Sequence, residues 1–254
     1  MSTITARIDP TDRGFTLGDG LFETMLACDN RIRHLSAHLE RLRTGARVLR
    51  IPFLITNKEL SSRIRDTLTA SGLSKAVLRL TVSRGPASRG LLPQVPSAPT
   101  ILMTTSPLSQ FSRPVKAIFA TKTRRNQHSP LSRIKSLNAL DNILARQEAA
   151  DRGVDEAVLL NTDGRLAETT VANLFLVTVD GRVQTPPVAD GALPGIMRAH
   201  VMTQLGAVET HLLPEDLFQA TEAFVTNALG VRPLVAVEGH SFGGATRVQE
   251  TLAL

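Results

Sequence analysis

The chain has 254 residues, of which 42% are hydrophobic and 20% are charged. This composition can bury a sizeable core, which excludes a disordered chain and fits one domain or two smaller lobes. The net charge is +6, but all nine aromatic residues are Phe. Because the arginines are also scattered, we do not expect a nucleic-acid partner.

The sequence also argues against membranes and metals. No uninterrupted apolar run approaches the ~20 residues of a membrane span, and charged residues interrupt the first 15 positions, so we expect a cytoplasmic protein without a membrane partner. Cys28 is the only cysteine, which excludes an internal disulfide and a cysteine-based metal site. The histidines lack convincing ligand spacing, and no metal site is predicted.

The first half of the chain predicts helices and strands in alternation. Apolar residues at helical spacing predict a helix over 35–49. A second helix should begin at Thr56, which forms a capping-box pattern with Glu59, and continue with Leu60, Ile64 and Leu68 on its apolar side. Alternating residues predict strands over 77–84 and 100–104. Residues 85–99, rich in Gly, Pro and Ser, predict a long loop between them.

A connector over 107–115 should separate an N-terminal lobe, 1–106, from a C-terminal lobe, 116–254. The second lobe should contain a helix at 137–151, with an apolar side made of Leu137, Leu140, Ile143 and Leu144. Strands are predicted over 116–122, 156–160, 173–178 and 222–226. Interleaved helices and strands in both lobes favour an α/β or α+β fold.

Lysine is scarce enough to limit where amine chemistry can occur. Of the 29 basic residues only five are lysines, and four of them (Lys58, Lys75, Lys116 and Lys122) occupy polar surroundings typical of solvated charges. Lys135 lies between Ile134 and an apolar helical run, where partial burial would free its amine for a Schiff base. A surface lysine ahead of a helix is the simpler local interpretation.

Other candidates are individually weak. The Pro194-Gly195 turn precedes a helix starting at Ile196, whose first N–H groups can bind a phosphate, although a plain turn is commoner. Thr226 and Asn227 at a strand end, and Arg41 on the polar side of its helix, can also reach a phosphate. Glu168, ahead of a strand, can pair with a protonated ring nitrogen or remain a solvated turn residue.

The order of these segments is more specific than any one of them. The chain runs GDGLFET, HLERL, RIKSLNALDN, E-x-x-x-x-N-x-F, LPGIMR and TNAL. From about Gly14 to Pro233 it resembles the class-IV aminotransferase family, the fold-type IV enzymes that use pyridoxal phosphate. The resemblance implies a two-lobed α/β enzyme with its active site between the lobes, and a homodimer.

The resemblance also implies roles for particular residues. Lys135 matches the catalytic lysine that holds the cofactor through a Schiff base, and Glu168 matches the carboxylate that pairs with the pyridine nitrogen. The phosphate cup is matched by Arg41, the backbone of Ile196 and Met197, Thr226 and Asn227. Candidate substrate residues are Arg89, Phe15 and Ala228.

The chain departs from its relatives at positions that bear on the substrate. Ala139 replaces a Tyr of many branched-chain aminotransferases. Phe15 replaces a Tyr of D-amino-acid aminotransferases, and Arg89-Gly90-Leu91 lacks the His of their Arg-x-His carboxylate trap.

These features favour transfer of an amino group between a small amino acid or amine and a 2-oxo acid. The alternative is an aminodeoxychorismate lyase, which releases pyruvate and forms 4-aminobenzoate. Such lyases are similar to this chain in SRG (Ser83 to Gly85), in the Arg89-Gly90 pair of the loop, and in the motifs ANLF, GIMR, NAL and the late SFGGAT. A non-catalytic binding protein on the same scaffold is a third possibility, but it would need neither Lys135 nor Glu168.

Overall fold

A computed structural model describes residues 7–108 and 113–243. The chain divides into two compact units. The first comprises the described residues up to Pro107 together with Lys135–Asn138, and the second comprises the other described residues. The lobe boundaries at 106 and 116 stay a prediction. The late SFGGAT motif lies partly outside the described residues, from Gly244 onward, as does part of the connector, at 109–112.

The sheet of the first unit is antiparallel, with the strand order β2-β1-β3-β4. Its strands are β1 (Gly20–Cys28), β2 (Arg31–Ile32), β3 (Lys75–Ser83) and β4 (Thr100–Pro107). The predicted alternation in β3 is confirmed, because Leu78, Leu80 and Val82 are buried. The long loop is also confirmed, since it connects β3 to β4.

Three helices belong to this unit: α1 (Arg13–Leu17), α2 (Leu35–Leu49) and α3 (Asn57–Ser71). The predicted capping box is confirmed at the start of α3. Thr56 Oγ1 accepts a hydrogen bond from the Glu59 amide at 3.2 Å, and Glu59 Oε2 accepts one from the Thr56 amide at 2.8 Å. The predicted apolar residues of α3, like Leu39 and Leu42 of α2, are buried.

The second unit contains a larger mixed sheet. Its strands are β5 (Val115–Phe119), β6 (Glu156–Leu160), β7 (Leu166–Thr169), β8 (Asn173–Val177), β9 (Val183–Thr185), β10 (Val208–Glu209), β11 (Glu222–Asn227), β12 (Gly230–Val237) and β13 (His240–Ser241). The order is β10-β9-β8-β11-β12-β5-β6-β7, with β13 on β12. The β9–β10, β5–β12 and β5–β6 pairs are parallel. One face buries a core around Val158, Leu174, Val225 and Leu234.

The helices of this unit are α4 (Leu140–Asp151), α5 (Ile196–Leu205) and α6 (Pro214–Gln219), with 3-10 turns at Pro130–Arg133 and Val188–Asp190. α5 begins at the predicted residue. The prediction for 137–151 was wrong about the start, since α4 begins only at Leu140.

The apolar side of α4 is not the side that the chain buries. Leu140, Ile143 and Leu144 are 73%, 48% and 49% exposed, whereas the buried side consists of Ala145, Glu148 and Ala149. Helical periodicity locates an apolar stripe but does not say whether the same chain covers it.

The predicted mixed α/β class is confirmed. Within the two ranges that the structure describes, no helix combines the length and apolar character needed to cross a membrane.

Candidate functional site

Lys135 lies beside the first residues of β1. The Phe22 amide donates a hydrogen bond to the Lys135 carbonyl at 2.9 Å, and the Leu137 amide donates to the Gly20 carbonyl at 2.9 Å. These bonds keep residues 135–137 alongside the strand and out of the following helix. Lys135 is half-buried, whereas the other four lysines are exposed. Partial burial is therefore confirmed, and the simpler local interpretation as a surface lysine was wrong.

The ring of Phe22 carries two cations. Lys135 Nζ lies 4.4 Å from the ring centroid, and the guanidinium carbon of Arg79 lies 3.8 Å from it. Burial lowers the pKa of Arg79. Sequence reasoning missed Arg79, whose only signal was its place between the inward-facing Leu78 and Leu80 of β3. Two cations on one ring make this part of the unit attractive to an anionic ligand.

Arg41 is held by a buried carboxylate. Its guanidinium donates from Nε to Glu23 Oε1 at 2.8 Å and from Nη2 to Glu23 Oε2 at 2.6 Å. His38 Nδ1 lies 2.7 Å from Glu23 Oε2. The prediction placed Arg41 on the polar side of its helix, but the side chain is mostly buried in this ion pair. Sequence reasoning missed both Glu23, inside the GDGLFET motif, and His38.

The two candidate substrate residues of the first unit are both exposed. Phe15 belongs to α1, and Arg89 lies in the loop between β3 and β4. Their roles in substrate binding stay predictions.

In the second unit, the carboxylate of Glu168 is surrounded by donors. Arg125 Nε lies 3.1 Å from Oε1, and the Leu193 amide donates to Oε2 at 2.9 Å. Asn173 Nδ2 donates to the Leu193 carbonyl at 2.8 Å and lies 3.4 Å from Glu168 Oε2. Glu168 belongs to β7 and is buried, so the simpler expectation of a solvated turn residue was wrong.

The start of α5 adjoins this carboxylate. Gly195 caps the helix and has no side chain that could hydrogen-bond to the first amides of α5. A Cβ at Gly195 would collide with Oδ1 of Asn173, so this position requires glycine. Asn173 thus contacts both the start of α5 and Leu193, whose amide donates to Glu168.

Thr226 and Asn227 lie near the same residues. Thr226 pairs with Asn173 across β11 and β8, and its hydroxyl donates to the Gly230 carbonyl at 3.0 Å. Asn227 Nδ2 donates to the Val171 carbonyl at 3.2 Å, and its Oδ1 accepts from the Leu229 amide at 2.9 Å. The hairpin turn containing Ala228 is therefore tied to the segment after Glu168.

This part of the second unit has the donor and acceptor types that pyridoxal phosphate needs. An ionised carboxylate only accepts hydrogen bonds, so Glu168 is the type of acceptor that a protonated ring nitrogen needs. The first amides of α5 can receive a phosphate, because a helix start favours an anion. Asn173 and Arg125, which sequence reasoning did not assign roles to, organise both features. Nothing in the sequence distinguished Arg125 among the 24 arginines.

The chain belongs to the amino-transferase class IV family, whose model matches residues 20–237. It is therefore an enzyme of this family, and its cofactor is pyridoxal phosphate. The expected family, cofactor and fold type are confirmed.

Individual relatives are named either as aminotransferases or as aminodeoxychorismate lyases, the two functions predicted from the sequence. A Methanocaldococcus jannaschii protein with the provisional name branched-chain-amino-acid aminotransferase is 34% identical, over 92% of this chain and 84% of its own. The aminodeoxychorismate lyase of Bacillus subtilis is 29% identical, over 94% of this chain and 84% of its own. A Legionella pneumophila crystal structure provisionally described as a 4-amino-4-deoxychorismate lyase is 30% identical, with a TM-score of 0.91, and covers 99% of this chain and 94% of its own.

Proposed function

We propose that this enzyme transfers an amino group between a small amino acid or amine and a 2-oxo acid, with Lys135 as its catalytic lysine. The observation that carries the proposal is the half-buried position of Lys135 against β1, unique among five lysines, in a chain of the class-IV family. Pyridoxal phosphate, when bound, supplies a carbonyl for amine exchange and a ring that accepts electrons from the substrate.

Lys135 would attach the cofactor and then move a proton at Nζ to and from the substrate's α-carbon. The backbone bonds on both sides of it fix the point at which the side chain leaves the backbone. Phe22 supports the amine through its ring, whose centroid lies 4.4 Å from Nζ, and such a contact favours the protonated amine.

Glu168 would hold the ring nitrogen in its protonated form. Arg125, Asn173 and the Leu193 amide orient the carboxylate, which prearranges it as an acceptor for a protonated ring nitrogen. Because its position is already fixed, the carboxylate needs little rearrangement to stabilise positive charge on the ring nitrogen.

Arg41, the amides of Ile196 and Met197, Thr226 and Asn227 would bind the phosphate. Arg41 contributes a permanent charge, and the start of α5 contributes backbone amide donors. The Thr226 hydroxyl already donates to Gly230, so it would serve chiefly by fixing the turn. Arg89, Phe15 and Ala228 would contact the substrate, with Arg89 binding a carboxylate.

Aminodeoxychorismate lyase is the second candidate. It is favoured by the 30% identity and the TM-score of 0.91 with the Legionella structure, and by the SRG sequence at Ser83 to Gly85. The same proton-moving lysine serves either reaction, so the residues that surround the substrate must decide between them.

A paired assay separates the two reactions. The purified enzyme is supplied with aminodeoxychorismate, and pyruvate is measured. In parallel, it is supplied with amino acids and pyruvate or 2-oxoglutarate, and amino exchange is measured. Exchange without pyruvate release from aminodeoxychorismate supports the transaminase. Robust pyruvate release without exchange overturns it in favour of the lyase.

The role of Lys135 is tested by borohydride reduction followed by peptide mapping. The wild type should be yellow and should carry the reduced cofactor on the peptide containing Lys135. Lys135→Ala should lose the adduct, whereas the exposed-lysine control Lys122→Ala should keep it. A colourless wild type that does not respond to added cofactor, or an adduct that persists in Lys135→Ala, would contradict the proposal.

We also propose that the enzyme is a homodimer. Leu140, Ile143 and Leu144 make an exposed apolar stripe on α4, and the exposed Val171 lies beside it because Asn142 donates to the Thr170 carbonyl at 2.7 Å. A stripe of this kind marks an interaction surface.

Light scattering during size-exclusion chromatography should give twice the 27.4 kDa chain mass. Leu144→Glu should dissociate the dimer, and Leu54→Glu, at an exposed site in the first unit, should not. A wild type at the monomer mass would overturn the dimer.

A further inference from the structure

The loop between β3 and β4 is tied at both ends to one carboxylate. Ser83 and Thr100, the last residue of β3 and the first of β4, donate to Asp12 Oδ2 at 2.9 and 2.6 Å. Asp12 is buried. The ends of the loop are therefore fixed independently of its tip.

The tip of the loop is held by Arg13, the residue that follows Asp12. Arg13 Nη1 donates to the Gly90 carbonyl at 2.7 Å, and Nη2 donates to the Leu91 carbonyl at 2.8 Å. Its Nε donates to Asp19 Oδ2 at 2.8 Å, which orients the guanidinium. The side chain is buried, so these bonds are shielded from water and effective.

Hydrophobic burial contributes little to the tip. Leu91 and Leu92 are 83% and 87% exposed. The two charge-assisted bonds from Arg13 are therefore the principal described anchor of the backbone immediately after Arg89.

We propose that Arg13 is a positioning residue for this tip and, through it, for Arg89. The part that concerns Arg89 rests on the proposed function, in which Arg89 binds the substrate carboxylate. By fixing two successive carbonyls, Arg13 limits the directions from which the Arg89 side chain leaves the backbone. Substrate affinity then depends on Arg13 although it touches no substrate.

Arg84 provides a matched control. It is buried and also binds Asp19, from Nε at 2.7 Å and from Nη2 at 3.1 Å. Its remaining bonds go to the carbonyls of Leu49 and Arg50, at the end of α2. Replacing either arginine leaves Asp19 paired with the other one, but only replacement of Arg13 removes the described hydrogen bonds to the loop tip.

The first measurement is hydrogen exchange of the peptide covering residues 88–95 in the resting enzyme. Arg13→Ala should speed exchange there about tenfold relative to wild type, because the tip loses two strong bonds. Arg84→Ala should speed it less than twofold. Arg13→Lys keeps a charge beside Asp19 but lacks the fork, so it should give an intermediate rate. Unchanged exchange in both Arg13 variants overturns the proposal.

The second measurement is steady-state kinetics with pyruvate, 2-oxoglutarate or aminodeoxychorismate, whichever the paired assay shows to be a substrate. Arg13→Ala should raise KM about tenfold with kcat changed less than threefold. In an Arg89→Ala background the same substitution should change KM less than twofold, because its effect passes through Arg89. Equal effects in both backgrounds would overturn positioning of Arg89.

The two proposals can fail separately. Loop exchange requires no reaction and tests Arg13 alone. Absence of a borohydride-trapped adduct on Lys135 would contradict the proposed function while leaving the exchange result intact.

Discussion

Arg41 donates two hydrogen bonds to the buried carboxylate of Glu23, and His38 contacts one of the same carboxylate oxygens. Burial by itself would raise the pKa of Glu23, but the hydrogen bonds from Arg41 and His38 outweigh it and hold that pKa below its usual value. The carboxylate is thus charged in the folded state, and it fixes the arginine proposed to bind the phosphate.

Glu23→Gln should therefore destabilise the enzyme. The substitution keeps the size of the side chain but leaves the Arg41 guanidinium without its buried counter-charge, a loss of about 3 kcal/mol in the free energy of unfolding. Urea denaturation at neutral pH measures it. Glu40→Gln, which removes an exposed partner of Arg47, should cost less than about 1 kcal/mol. Equal stabilities for both variants would contradict this account of Glu23.

The same pair should make stability depend on pH. Because the pKa of Glu23 is lower in the folded state, the unfolded chain binds the proton more readily. The contribution is fully present above the unfolded pKa of about 4.3 and is lost as the pH falls through the lower folded value. Unfolding free energies measured downward from neutral pH should fall less steeply below about pH 4 in Glu23→Gln than in wild type. Parallel curves would contradict the prediction.

The α3 capping box should contribute to the stability of the enzyme but not to cofactor binding. Thr56→Ala removes the hydroxyl that accepts from the Glu59 amide, and the loss of such a cap typically costs about 1 kcal/mol. Thermal denaturation should show the decrease, while the yield of cofactor adduct on Lys135 stays at the wild-type level. Thr69→Ala removes an exposed hydroxyl inside the same helix, away from its start, and should cost less. A larger loss for Thr69→Ala would argue against capping as the cause.

Features encoded over a few residues could be predicted from the sequence. The capping box and the apolar side of α3 depend on spacings of three and four residues, and both were predicted correctly. Lys135 could be selected because lysine is scarce, but its pairing with β1 joins distant segments. No local pattern specifies such a pairing.

Other features depend on partners far away in the chain. Helical spacing placed Arg41 on a polar face, although the buried Glu23 on β1 occupies the space opposite it. Arg125 could not be separated from 23 other arginines before its contact with Glu168 was known. The stripe on α4 was recognised as apolar, but periodicity could not show that the chain itself leaves it exposed.

Arg125 should control the orientation of Glu168. Its Nε contacts the carboxylate, and its guanidinium also donates to the carbonyls of Gly191 at 3.0 Å and Ser132 at 3.1 Å. Arg125→Lys keeps the charge but cannot make all three contacts. We expect cofactor affinity to fall about tenfold, measured by absorbance titration of the apoenzyme.

The neighbouring Arg124 serves as the control for that measurement. Its guanidinium donates only to the carbonyls of Ala120 and Thr123 among its described hydrogen bonds, and the residue is exposed. Arg124→Lys should leave cofactor affinity within about twofold of wild type. An equal decrease in both variants would show that the loss is unspecific and that Arg125 has no particular role at Glu168.

Gly195 should be intolerant of a side chain because of Asn173. Gly195→Ala places a methyl group against Oδ1 of Asn173, so either the start of α5 or the asparagine must move, at a cost of about 1–3 kcal/mol. Movement of Asn173 would also disturb its bonds to Leu193 and Glu168, so cofactor affinity should fall as well. In an Asn173→Ala background the added methyl has room, and the second substitution should cost much less than it does alone. Denaturant unfolding of the four proteins in this cycle measures the coupling. If the two costs simply add, the close approach of Gly195 and Asn173 does not determine the geometry of the helix start.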